Sequence, residues 1–246
     1  MSYTILNPDD ESPFLFVCEH ASKAFPEGYG TLGLDPEILP SISDWYDDYA
    51  KDILLKVLEE LPATTLYANY SRLFIDVHRY LDEEELIRTY EKDQNIVIPG
   101  NQNLSEAEVK KRVDFAWTPF HENFERLVAE KKKKHKKVYL IAFHTCSPVF
   151  CGEKRKFDID ILFRHDKGLA LTVGDAVELF GYNVQYNHPP FNGTKGVVFT
   201  VDRYSDDDQV EWVFFEVNHG IIKNAEDVSK IAEAIIVGLG CVSYED

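Results

Sequence analysis

The chain has 246 residues, 44% hydrophobic and 28% charged, with a formal net charge of -17 at pH 7. That length suits a single α/β domain over residues 1–246, with material for a sizeable core. So acidic a chain argues against a general nucleic-acid binder, which needs Lys and Arg to neutralise phosphates, but leaves room for a small anionic ligand held by a local positive cluster.

The N-terminus, MSYTILNPDDESP, is polar and acidic, without the basic and apolar regions of a secretory signal. No apolar run approaches the length of a membrane span, so a cytoplasmic protein without a membrane partner is expected. Cys18, Cys146, Cys151 and Cys241 form no CxxC pair and are expected to be reduced thiols.

In chain order, the first element is a strand over Phe14–Cys18, an apolar run that meets Glu19 and His20. A helix is predicted over Ser43–Leu61, with Ser43 as its cap. Strands follow at Thr65–Ala68 and Leu73–Val77. Ser105–Glu108 is a capping box opening a long helix that should kink or restart near Pro119. Lys131–Lys134 with Lys136 and Lys137 read as a solvated helix end rather than a nucleic-acid patch. Strands at Val138–His144 and Ile159–Phe163 precede a helix over Gly168–Phe180, stopped by Gly181. Strands at Asn183–Tyr186, Gly196–Val201 and Trp212–Val217 lead to a last helix over Asn224–Leu239, capped by Asn224 and ended by Gly240. Alternating strands and helices predict a three-layer αβα domain around a mixed, mostly parallel sheet. No linker divides the chain.

Four of these strands carry polar groups that a core does not need. Glu19 and His20 follow the first, and Arg72, His78 and Arg79 flank Leu73–Val77. His144 ends another, and Glu216 lies in the last. Ligands of open α/β sheets bind beyond the carboxyl ends of the strands. If these strands are parallel, His20, His78, Arg79, His144 and Glu216 converge. Two imidazoles and a carboxylate can bind Zn²⁺, a second carboxylate can deprotonate water, and arginines can hold an anion or polarise a carbonyl. The plainer alternative is a set of unrelated groups: histidines bonded to loops, arginines in surface ion pairs, and Glu216 paired with Arg203. No HExxH or HxxE spacing decides between the two.

Several blocks together resemble the N-formylglutamate amidohydrolase family. They are VCEHASKAFPEGYGTLGL, SDWYDDYA, YSRLFIDVHR, IPGN at Ile98–Asn101, PFH at Pro119–His121, FHTCSPVFCGEKR, NHPPF and FFEVNHGII, in that order from about residue 12 to residue 240. The resemblance implies a fold similar to the zinc exopeptidases and aspartoacylases, and hydrolysis of a small N-acyl acidic amino acid such as N-formylglutamate. It implies Zn²⁺ held by His20, His144 and an aspartate of the Ser43–Asp48 segment, for which Asp47 is preferred over Asp44 and Asp48. Glu216 would be the general base and Arg72 would polarise the scissile carbonyl. Arg79, His78 and Asn187 would contact the substrate, and Glu19 would orient His20. His78 stands where the family usually has Asn, and VDRY at Val201–Tyr204 stands where many members have His-Gly. These departures keep two alternatives open: a zinc hydrolase of the same fold with another amide or peptide substrate, and a catalytically silent binding relative.

Overall fold

The computed structural model describes residues 1–42, 45–91, 95–150, 152–164, 167–188 and 198–242. A seven-stranded sheet forms from β1 (Tyr3–Leu6), β2 (Phe14–Cys18), β3 (Thr64–Ala68), β4 (Val138–Cys146), β5 (Ile159–Leu162), β6 (Val184–Tyr186) and β7 (Val210–Asn218). Their order across the sheet is β1-β3-β2-β4-β7-β5-β6. Strands β3, β2, β4 and β7 are parallel neighbours, β1 pairs antiparallel at one edge, and β5 runs antiparallel to β7.

The three central strands are apolar on both faces because both faces are covered. Phe14, Phe16, Tyr139, Ile141, Phe143, Val213 and Phe215 pack with helices α1 (Ala50–Glu60), α4 (Gly168–Leu179) and α5 (Ala225–Gly240). Leu15, Val17, Leu140, Ala142, Trp212 and Phe214 pack with α3 (Thr118–Lys134) on the other side. The result is the expected three-layer arrangement. Helix α1 shows why its sequence is helical: Ala50, Ile53, Leu54 and Val57 recur at helical spacing and are the residues buried.

Ser105 caps α2 (Glu106–Arg112), its hydroxyl accepting from the Glu108 amide, while the Glu108 carboxylate accepts from Tyr29 and Arg112 instead of closing the box. The restart near Pro119 is a π turn over Val113–Trp117 that hands on to α3. Asn224 caps α5 by accepting from the Glu226 and Asp227 amides. Cys18 and Cys146 are buried free thiols, and Cys241 is an exposed one.

Four expectations are corrected. Helix α1 begins at Ala50, after Tyr49 in a left-handed conformation (φ 68°), and Ser43 lies outside the described residues. Gly196–Val201 is not a strand: Val198 opens a short helix, Phe199–Asp202, and residues 196 and 197 lie outside the described part. Lys131 is not solvated. Its amine is buried and donates to the carbonyls of Asp10 (2.7 Å) and Ser12 (2.6 Å). Lys134 binds Glu11, so part of the basic run fastens α3 to the loop before β2.

The fourth correction bears on the site. Leu73–Val77 is buried and, apart from Asp76, apolar, as a central strand would be, yet it joins no sheet. Its carbonyls are satisfied by side chains instead. Asn101 donates to Leu73 O, Arg112 to Phe74 O, and His121 to Val77 O. Hydrophobic runs report burial, and only the hydrogen-bond partners distinguish a strand from a pinned loop. The IPGN block supplies one pin. A Cβ on Gly100 would lie 2.8 Å from Leu32 O, so glycine is needed for the turn that aims Asn101 at both Leu73 O and Arg88 O.

Candidate active site

Because β2, β4 and β7 are parallel and adjacent, their carboxyl ends share one edge. Glu216 is directly opposite His144 across the β7–β4 pairing, so both side chains leave the same face. The ring of His144 stacks on Phe214, with centroids 4.2 Å apart and planes within 12°, which fixes its orientation. His20 follows β2, and its carbonyl accepts from the Asp47 amide (3.1 Å), tying the loop before α1 to this edge. The left-handed Tyr49 completes that turn, a backbone cost typical of constrained sites.

These elements bring His20, Asp47 and His144 together, all buried. Asp47 Oδ2 lies 2.7 Å from His144 Nδ1, and Asp47 Oδ1 lies 3.4 Å from His20 Nδ1. One ligand atom from each falls within 4.8 Å of the others. The opposite ring nitrogens face carboxylates: His20 Nε2 to Asp76 (2.8 Å) and His144 Nε2 to Glu19 (2.8 Å). A carboxylate on Nε2 holds the proton there and presents the Nδ1 lone pair, the arrangement of metal-binding histidines. Nδ1 of His20 is buried and makes no hydrogen bond.

A cation fits this donor set. Burial pushes the His144 imidazolium down, but Glu19 and Asp47 on either side outweigh it and raise its pKa to about 10. Burial opposes ionisation of Asp47, yet His20 and His144 hold it well below the usual carboxylate range. The cluster therefore calls for positive charge between Asp47 and the two Nδ1 atoms. A metal ion supplies that charge without a proton. Glu19, His78 and His144 form a second close group, but His144 enters it through the Nε2 that Glu19 already binds.

Glu216 is buried beside the cluster, and its Oε2 makes no hydrogen bond. Arg203 is not its partner, since Arg203 binds Glu125 and His121. Burial raises the Glu216 carboxyl to about 7; His144 and Arg155 pull it down while Asp47 and Asp160 push it up. That value suits proton transfer near neutrality.

Arg72 is buried and grips Asp76 Oδ2 through Nε (3.1 Å) and a terminal nitrogen (2.8 Å), with another terminal nitrogen 3.8 Å from Asp47. His78 lies against Glu19 and Thr200, both 3.1 Å from Nδ1, with its ring 5.1 Å from that of His144. Arg79 reaches Glu83 (3.7 Å) and Glu85 (3.9 Å), donates to His78 O, and its charge helps hold the Asp76 carboxyl down. Asn187 serves the backbone at the end of β6, where its side-chain oxygen accepts from the Phe163 amide. Asp44 lies outside the described residues, and Asp48 is at the rim with its carbonyl held by Thr145.

One assignment changes. Glu19 orients His144 and His78, not His20. The partner of His20 is Asp76. Its signal was present as the Asp-x-His spacing of Asp76 and His78, but the partner lies 56 residues from His20 and becomes visible only once the pinned loop is placed.

The profile of the N-formylglutamate amidohydrolase family matches residues 12–222. The chain belongs to that family. Its reaction class is hydrolysis of an amide bond. Among solved structures, it is similar to gene product Atu2144 from Agrobacterium tumefaciens, at 29% identity and a TM-score of 0.87, covering 97% of this chain and 93% of that one. It shares the fold of an N-formylglutamate amidohydrolase from Ralstonia eutropha JMP134, at 18% identity and a TM-score of 0.74, covering 96% and 95%. No curated protein sequence matches it. No helix among the described residues is long and apolar enough to cross a membrane.

Proposed function

We propose that this family member is a zinc-dependent amidohydrolase that cleaves a small N-acyl acidic amino acid such as N-formylglutamate, with His20, Asp47 and His144 as metal ligands. The reading is carried by one observation: a buried histidine nitrogen and a buried carboxylate oxygen, His20 Nδ1 and Glu216 Oε2, both lack hydrogen bonds beside the His144–Asp47 pair. Buried polar atoms are ordinarily paired, and unpaired ones at one spot indicate a missing partner of matching chemistry.

Bound there, Zn²⁺ would polarise the scissile carbonyl and make water acidic enough to attack near neutrality. Glu216 takes the proton of the attacking water and delivers it to the leaving nitrogen, so one carboxylate serves as base and then acid. Glu19 and Asp76 keep the two histidines in the ligand tautomer. Arg72 places a guanidinium nitrogen beside Asp47, where it offsets negative charge developing on the carbonyl oxygen. Asp76 fixes that guanidinium from behind. Arg79 and His78 would meet the outer part of the substrate.

Metal analysis of the purified protein, followed by formate release from N-formylglutamate, tests the reading. The expected result is about one zinc per chain with hydrolysis abolished by chelation and restored by zinc, and loss of metal in a folded His144→Ala variant. Unchanged zinc affinity in His144→Ala would refute the ligand assignment. Full activity after exhaustive chelation would refute metal dependence.

A further inference from the structure

We propose that a cavity at the amino edge of the sheet, on the opposite side from the metal cluster, binds a free α-amino acid by its ammonium and carboxylate together. The binding stands apart from the amidohydrolase reading; that reading adds that the ligand is of the class the reaction releases.

The cavity measures about 360 Å³, inside the range of small-molecule sites, roughly 300–1,000 Å³. Its walls are the segment before β4, the start of β7 with the turn ahead of it, and the turn between β5 and α4. Because β5 runs antiparallel to β7, the carboxyl end of β5 meets the amino end of β7. Val210 lines the cavity, and Glu216 stands six residues further along β7, about 20 Å away at roughly 3.3 Å per residue. An occupant therefore does not touch the metal ligands.

Hydrogen bonds and ion pairs preform the wall. Trp212 Nε1 donates to Ser205 Oγ (2.9 Å), and the Ser205 hydroxyl donates to Asp202 Oδ1 (2.9 Å). Arg164 reaches the same oxygen through Nε (2.8 Å) and a terminal nitrogen (2.6 Å). Lys137 pairs with Glu211 (2.8 Å), and Lys132 with Asp207. The short helix that supplies Asp202 also sets Thr200 3.1 Å from His78 Nδ1, so this wall is continuous with the layer behind Glu19.

The charges of the lining choose the ligand. Lys137, Arg164 and Lys167 face Asp207, Asp208 and Glu211. A simple anion or a simple cation would meet like charge on one side, a repulsion that disfavours the wrong partner. A zwitterion satisfies both sides. Arg164, Lys137, Asp207 and Glu211 already have the partners named above, whereas Lys167 and Asp208 make no ion pair or side-chain hydrogen bond among the described residues. Lys167 can take a carboxylate and Asp208 an ammonium, with Val210 and Trp212 beside the carbon between them. An N-acyl amino acid lacks the second charge, because its nitrogen is an amide. The cavity thus separates the free amino acid from its acylated form.

The test follows the indole N–H resonances of the isotope-labelled, zinc-loaded chain. Its three tryptophans give three such resonances, and Trp212 is assigned by its loss in Trp212→Phe. L-Glutamate should shift the Trp212 resonance saturably. Glutarate, with both carboxylates and no ammonium, should not. Lys167→Glu and Asp208→Lys, both at exposed positions, should each weaken glutamate binding about tenfold or more with melting temperatures unchanged. Hydrolysis is not read, so failure of the amidohydrolase reading would leave this result standing. No saturable shift in the parent, an equal response to glutarate, or unchanged affinity in either variant overturns the site. A shift confined to Trp45 or Trp117 places glutamate elsewhere and overturns it as well.

Discussion

Replacing Asp76 with Asn should damage both stability and metal affinity, because Asp76 is acceptor to four donors. Its Oδ1 accepts from His20 Nε2 (2.8 Å) and the His78 amide (2.9 Å), and its Oδ2 from Arg72 Nε (3.1 Å) and a terminal nitrogen (2.8 Å). Burial opposes its ionisation, but Arg72 and His20 hold the carboxyl well below the usual range. Asn has one acceptor atom and one donor group. If its oxygen faces His20 and His78, its NH₂ meets the guanidinium, donor against donor. If it faces Arg72, the NH₂ meets the His78 amide and forces His20 to accept at Nε2, which moves the ring proton to Nδ1 and removes the ligand lone pair. In the first orientation Arg72 loses both of its bonds to Asp76, and the Asp47 oxygen 3.8 Å away is too distant to replace them. Breaking a buried ion pair from one side costs about 3–5 kcal/mol. Loss of a carboxylate behind a metal-binding histidine weakens metal affinity about 10–100-fold. Urea unfolding of the metal-free protein reads the first effect, and competition with a chromophoric chelator reads the second. A variant within about 1 kcal/mol of the parent and within about threefold in zinc affinity would refute the reasoning, since both figures fall well below these ranges.

Glu216→Gln should leave zinc content and folding intact while kcat falls by about 10² or more with little change in KM; retention of most of kcat would assign the base elsewhere. Asp160 is wholly buried and its carboxyl is raised by burial to about 6. A raised carboxyl favours the folded state below its unfolded value, and that stabilisation is lost as pH climbs through the folded value. Asp160→Asn should therefore gain stability relative to the parent between pH 4 and pH 7, by at most about 3 kcal/mol, and parallel unfolding curves across that range would contradict it. Gly238→Ala would place a Cβ 2.9 Å from Val173 Cα, where α5 meets α4, whereas Gly240 has nothing within 4 Å. Overpacking of about 1–3 kcal/mol should outweigh the roughly 1 kcal/mol that Ala gains in helix propensity, so Gly238→Ala should melt lower than the parent and Gly240→Ala should not. An unchanged melting temperature in Gly238→Ala would show that the helices yield.

The sequence by itself determined the layers and the chemistry carried on the central strands. Continuous apolar runs at Phe14–Cys18, Val138–Phe143 and Trp212–Phe215 could be buried only between two helical layers, and caps at Ser105 and Asn224 set helix starts through local hydrogen bonds. His20, His144 and Glu216 were legible as polar groups at or near the ends of such runs, because a strand's termination is a local event. Tertiary structure decided what local pattern cannot encode. Leu73–Val77 had the composition of a strand, but side chains of Asn101, Arg112 and His121, from 28 to 44 residues away, took its carbonyls and made it a loop. Only that loop brings Asp76 to His20 and Arg72. Likewise Glu19 adjoins His20 in sequence yet serves His144 across 125 residues, since consecutive side chains at a strand end leave in different directions. The polar residues were written in the sequence; their pairings arise from contacts between segments far apart in the chain.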